Sequence, residues 1–85
     1  MIRVSLLGHI RSSVGSNEVT FPDEELDMKT IVERLRLMSK ESSPGFSMYN
    51  IIAMIEDGEA FVPASASRKV KTGERVVIVP FSHGG

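Results

Sequence analysis

Four consecutive β-branched apolar residues, Val76-Val77-Ile78-Val79, follow Arg75 and a turn sequence, Lys71-Thr72-Gly73-Glu74. In a strand with one wet face every second side chain is polar, so an unbroken apolar run predicts a central strand buried on both faces. Such strands are commonly parallel. The rest of the chain has to supply a neighbouring strand and an element that covers the run.

Ile2-Arg3-Val4-Ser5-Leu6 alternates apolar and polar with period two, which predicts a half-buried strand that Leu7 to Ile10 extend. Ser12-Ser13-Val14-Gly15-Ser16-Asn17 is rich in turn formers. Glu18-Val19-Thr20-Phe21 alternates again until Pro22-Asp23 stops it, so the two segments read as an antiparallel hairpin. A helix follows, with Asp27 as its cap and Ile31, Val32, Leu35 and Met38 as its apolar stripe. Lys40 suits the negative end of its dipole, and Ser42-Ser43-Pro44-Gly45 terminates it. Ile51-Ile52-Ala53-Met54-Ile55 reads as a short buried strand. Glu56-Asp57-Gly58-Glu59 makes a tight turn into Ala60-Phe61-Val62, a second hairpin.

The order is β-β-α-β-(β)-β, and the last strand buries its apolar run best if it lies parallel to the first, under the helix. That arrangement is the ubiquitin-like β-grasp, an α+β fold with a mixed sheet of four to five strands packed on one main helix. Residues 1–79 form the expected domain, and residues 80–85 a flexible tail.

With 85 residues the chain is one domain with a small core, which leaves little room for a separate substrate cavity. The absence of cysteine excludes disulfides, thiolate metal sites and a cysteine nucleophile. No apolar stretch approaches the roughly 20 residues that cross a bilayer. The N-terminal residues carry no secretory pattern, so a cytoplasmic protein is expected, with no membrane association. A net charge of −1 argues against nucleic acid as a partner. The basic group Arg68, Lys69, Lys71 and Arg75 is either a solvated face or a docking patch for an acidic partner.

Six residues follow Val79, namely Pro80-Phe81-Ser82-His83-Gly84-Gly85. Extended, they reach about 20 Å. A Gly-Gly end arises by chance in roughly one chain in two hundred. Two residues without β-carbons let a backbone thread a narrow channel and deliver its carboxylate. An ionised carboxylate is a poor acyl donor, however, and must be activated. The chain has no Walker-type phosphate loop, so activation falls to a separate adenylating enzyme.

Ile55-Glu56-Asp57-Gly58-Glu59-Ala60 and the stretch from Thr72 to Gly85 resemble the central hairpin, final strand and Gly-Gly tail of the MoaD/ThiS sulfur carriers, which include the small subunit of molybdopterin synthase. The resemblance implies a carrier with no autonomous active site and no bound cofactor. A ubiquitin-activating-type enzyme would adenylate Gly85 with ATP, and a sulfur donor would convert it to a thiocarboxylate. The sulfur would pass to an acceptor such as a pterin precursor on a molybdopterin synthase large subunit. Gly84, His83, Phe81 and Pro80 would contact partners. Where relatives carry a second proline and a small residue, this chain has Phe81 and His83. His83 is either a tail side chain without a role or a specific contact in a partner's channel, and Phe81 is either a core lid or a hydrophobic anchor. Two other readings keep the fold: a modifier joined through Gly85 to lysines of target proteins, and a β-grasp interaction module with an incidental Gly-Gly end.

The remaining candidates are weak. His9 and His83 lie too far apart in sequence for a metal-binding spacing. Asp23, Glu24, Glu25 and Asp27 precede a helix, where negative charge suits the dipole. Met28, Met38, Met48 and Met54 read as core or gap-filling residues.

Overall fold

A computed structural model describes residues 1–39, 48 and 50–81. In chain order the elements are β1 (Ile2–Leu6), α1 (Gly8–Val14), β2 (Glu18–Phe21), β3 (Glu25–Asp27), α2 (Met28–Met38), β4 (Ile51–Asp57), β5 (Ala60–Pro63), β6 (Lys69–Lys71) and β7 (Arg75–Pro80). The main sheet is five-stranded, in the order β2-β1-β7-β4-β5. The β-branched run therefore lies in the middle strand, parallel to β1 with Val4 beside Val76 and Leu6 beside Ile78. β4 flanks it antiparallel on the other side, with Ala53 opposite Ile78 and Ile51 opposite Pro80. The mixed sheet on one main helix is thus the architecture expected from the sequence.

Alternation decides what each strand buries. Ile2, Val4 and Leu6 of β1, Ile51, Ala53 and Ile55 of β4, and Val76 and Ile78 of β7 all join the core. α2 covers them with Met28, Ile31, Val32 and Leu35, each buried. Asp27 caps this helix as expected, its Oδ1 accepting the Thr30 N–H at 2.9 Å. The β4–β5 hairpin turns on Gly58-Glu59, with Gly58 at a φ of +66°. A two-residue turn with positive φ at its first central position calls for glycine there.

Four details differ from the sequence reading. Residues 8–10 do not extend β1 but begin α1, in which Ile10 is buried and Val14 packs on the core. The Ile10–Val14 spacing of four is helical, and seven residues are too few for that periodicity to stand out among turn formers. β1 and β2 do pair antiparallel, Ile2 opposite Phe21, but α1 joins them instead of a turn. Met38 lies outside the stripe, 45% exposed, because the buried face of α2 starts at Met28 and ends at Leu35. Finally, β4 is buried on one face only, since Ile52 is exposed.

The small sheet of β3 and β6 was also not expected. Glu25 lies opposite Lys71, Leu26 opposite Val70 and Asp27 opposite Lys69. Val70, fully buried in the core cluster, holds it, and residues of opposite charge face each other on either side of it. Three-residue strands carry too little periodicity to be recognised from sequence. Lys40 and the terminator Ser42-Ser43-Pro44-Gly45 lie outside the described residues.

Candidate functional site

β7 continues through Pro80, one residue past the Val79 at which the sequence places its end. Pro80 is registered against Ile51 of β4, and the Phe81 N–H donates to the Asn50 carbonyl at 2.9 Å. The chain therefore leaves the sheet from its central strand. On the other flank β1 has already turned away into α1, so no neighbour there needs the N–H that proline lacks. Pro80 sits against Gly8: a β-carbon at Gly8 would lie 2.6 Å from Pro80 Cγ.

Directly opposed residues of an antiparallel pair share a sheet face. The pairings Ile52–Val79, Met54–Val77, Met54–Pro63 and Glu56–Phe61 consequently place these side chains together on the face away from the core residues of β4 and β7. Phe81, two residues beyond Val79, continues that alternation. Ile52, Phe61 and Phe81 are exposed at 38%, 46% and 53%. The result is an apolar outer surface that starts at the root of the tail and runs across β4 to the edge strand β5.

Charged groups bound this surface toward β1 and β2. The Arg75 guanidinium donates to Ser5 Oγ at 2.9 and 3.2 Å and lies 3.5 Å from Glu56 Oε2. Arg3, which neighbours Arg75 in the parallel register, pairs instead with Glu18 at 3.3 Å. Exposed pairs of this kind contribute little stability. Each cation has its own carboxylate, which offsets the repulsion between the two neighbouring guanidinium groups.

Of the residues assigned to the tail, Pro80 and Phe81 are placed at the end of the central strand, whereas His83, Gly84 and Gly85 lie outside the described residues. The exposure of Phe81 fits a hydrophobic anchor better than a core lid. The sequence reading missed two features. Gly8, the seat of Pro80, looks in sequence like any glycine at a strand end. An apolar sheet face for partner binding is what the carrier reading expects, but the residues that form it were hidden because Ile51 to Ile55 read as one continuous apolar run. The signal for it was Ile52 and Met54 falling in alternate positions.

Other sequence candidates are accounted for by structure. Arg68 lies 3.5 Å from Glu74, Lys69 and Lys71 lie opposite Asp27 and Glu25, and Arg75 pairs with Glu56, so the basic group forms a charge-balanced surface. Asp23 accepts from Arg34 at 2.9 Å, and this hydrogen bond holds its carboxyl below the usual range. Hydrogen bonding to Thr30 does the same for Asp27. These acids are structural partners of α2. His9 is exposed in the first turn of α1, and among the described residues no group of His, Cys, Asp and Glu is placed to hold a metal ion. Of the methionines read as core or gap-filling residues, Met28 is buried and Met48 packs against the core, whereas Met38 is exposed and Met54 lies half-buried on the outer face of the sheet. Among the described residues no helix is long and apolar enough to cross a membrane.

No protein-family model matches the chain, and no curated protein matches it. Among solved structures, the crystal structure of SAMP1 from Haloferax volcanii is similar with a TM-score of 0.71 over 99% of this chain and 98% of that one, at 18% sequence identity. A likeness of this extent at so low an identity defines the fold, and the fold is the ubiquitin-like β-grasp.

Proposed function

We propose that this chain is a sulfur carrier of the MoaD/ThiS type, working through the carboxylate of Gly85 and most specifically serving molybdopterin synthesis in the cytoplasm. The observation that carries this reading is the exit of the chain from the central strand of a β-grasp sheet, beside an exposed apolar face, a few residues ahead of Gly84-Gly85. The fold supplies a rigid handle, the face supplies area for a partner, and two residues without side chains end the arm.

The chemistry is balanced by partners. A Gly85 carboxylate oxygen attacks the α-phosphorus of ATP on an adenylating enzyme, and pyrophosphate leaves. The terminal sulfur of a donor persulfide then displaces AMP from the carbonyl, giving an acyl disulfide. A further thiol attacks the donor-side sulfur, releasing the Gly85 thiocarboxylate and an ordinary disulfide. The thiocarboxylate sulfur then attacks an electrophilic carbon of a pterin precursor held by a molybdopterin synthase large subunit, an oxygen leaving group departs from that carbon, and water cleaves the resulting thioester, which leaves the sulfur on the pterin and returns the Gly85 carboxylate. The chain itself contributes docking through Phe81, Ile52 and Phe61, and delivery through Pro80, His83 and Gly84.

Intact-mass spectrometry after incubation with an adenylating enzyme, ATP, a persulfide donor and a thiol tests the reading. The expected product carries one sulfur in place of one oxygen at Gly85. Absence of that exchange, with the enzyme shown to be active on its own carrier, overturns it. High-mass conjugates in the native host that require Gly85 would instead make the chain a protein modifier.

A further inference from the structure

The contact between Gly8 and Pro80 joins two segments that are remote in sequence and adjacent at the point where the tail begins. The Leu7 N–H donates to the Ile78 carbonyl at 3.1 Å, which ties the end of β1 to β7. The next residue, Gly8, has a φ of +61°, and there the chain turns from β1 into α1. A β-carbon at Gly8 would meet Pro80 Cγ at 2.6 Å and Cδ at 3.1 Å, so the proline ring occupies the space that only glycine leaves. On the opposite flank, Ile51 is registered with Pro80 and the Asn50 carbonyl holds the Phe81 N–H. Pro80 is thus held from both neighbouring strands.

We infer that Gly8 is a positioning residue for the tail: its bare α-carbon seats the Pro80 ring, and that seat fixes where and in which direction the chain leaves the sheet. The inference rests on the carrier reading and deepens it. With Phe81 held, the four residues beyond it carry the carboxylate up to about 14 Å from a fixed origin; with Val79 as the last held residue, six residues would span about 20 Å. The effective concentration of a tethered group falls roughly as the −3/2 power of tether length, so losing the seat lowers it about twofold through length alone. Loss of the fixed direction adds to this.

The seat also separates docking from delivery. Ile52 and Phe61 stay in place when Gly8 is changed and Phe81 keeps its side chain, so KM for the carrier should rise by less than Phe81→Ala raises it, while kcat of adenylation falls about two- to fivefold.

The test uses the full chain with Gly8→Ala, which crowds the ring, and Pro80→Ala, which removes it without altering the backbone at residue 8. Ile31→Val, a core change in α2, serves as the control for general destabilisation. Amide hydrogen exchange reads the seat directly. In both seat variants the Phe81 amide should exchange several-fold faster, while the Thr30 amide, bound to Asp27, keeps its protection. ATP-dependent pyrophosphate release reads delivery, with kcat reduced in Gly8→Ala and unchanged in Ile31→Val. Unchanged Phe81 exchange in both seat variants, or an equal loss of kcat in the control, overturns the inference. If the unaltered chain is not adenylated at all, the carrier reading fails, and the exchange of Phe81 decides the seat on its own.

Discussion

Replacing Phe81 with alanine separates anchoring from folding. Full burial of a phenylalanine side chain is worth roughly 1.5–3 kcal/mol. Phe81 is 53% exposed in the free protein, so docking has about half of that, about 0.8–1.6 kcal/mol, still to gain. The expected loss is therefore about 4- to 15-fold in affinity for the adenylating enzyme. Folding should weaken by only about 1 kcal/mol, since the side chain lies outside the core cluster. Isothermal titration calorimetry against the enzyme gives the affinity, and thermal unfolding followed by circular dichroism gives the stability. An affinity within about twofold of the unaltered protein would refute the anchor. If, in addition, the melting temperature fell as it does for a core truncation, Phe81 would be a lid on the fold after all.

The remaining predictions concern the core, the helix cap and the tail. Leu35→Ala, at a fully buried site, should cost about 2–5 kcal/mol in urea unfolding, whereas Leu37→Ala, at an 83% exposed one, should fall within about 0.5 kcal/mol of the parent. The Asp27 carboxyl is held below its usual range by Thr30. Its contribution to stability is therefore present above the unfolded-state pKa of about 3.9 and lost as pH falls through the lower folded value. Asp27→Asn should accordingly flatten the acid limb of a stability–pH profile. Removing Gly84 and Gly85 should abolish sulfur acceptance by mass spectrometry and leave the melting temperature unchanged, since among the described residues the core cluster ends at Ile78.

Elements with a strong period were legible. Alternation in Ile2–Leu6 and Glu18–Phe21, the stripe of Ile31, Val32 and Leu35, and the run from Val76 each leave one favourable arrangement of buried surface. The elements that escaped are short or stabilised by distant partners. α1 depends on Ile10 entering a core built by other segments, and β6 depends on Val70 doing the same and on pairing with β3. Within the site, Pro80 and Phe81 could be named from the sequence because they precede Gly84-Gly85. The partly exposed face of Ile52 and Phe61 could not, because exposure depends on which side of the sheet α2 covers.

By itself, then, the sequence determined a central apolar strand parallel to the first, a capped helix to cover it and an arm ending in two glycines. Local period and chain composition carry that information, and each segment expresses it without reference to the others. Only the tertiary structure decided that the arm leaves beside an apolar surface and that Gly8 holds its root. Both follow from strand order and register, which bring residue 8 to residue 80 and Ile52 to Val79 across long separations in the chain. Such pairings are settled by the joint packing of the whole core, so no single segment records them.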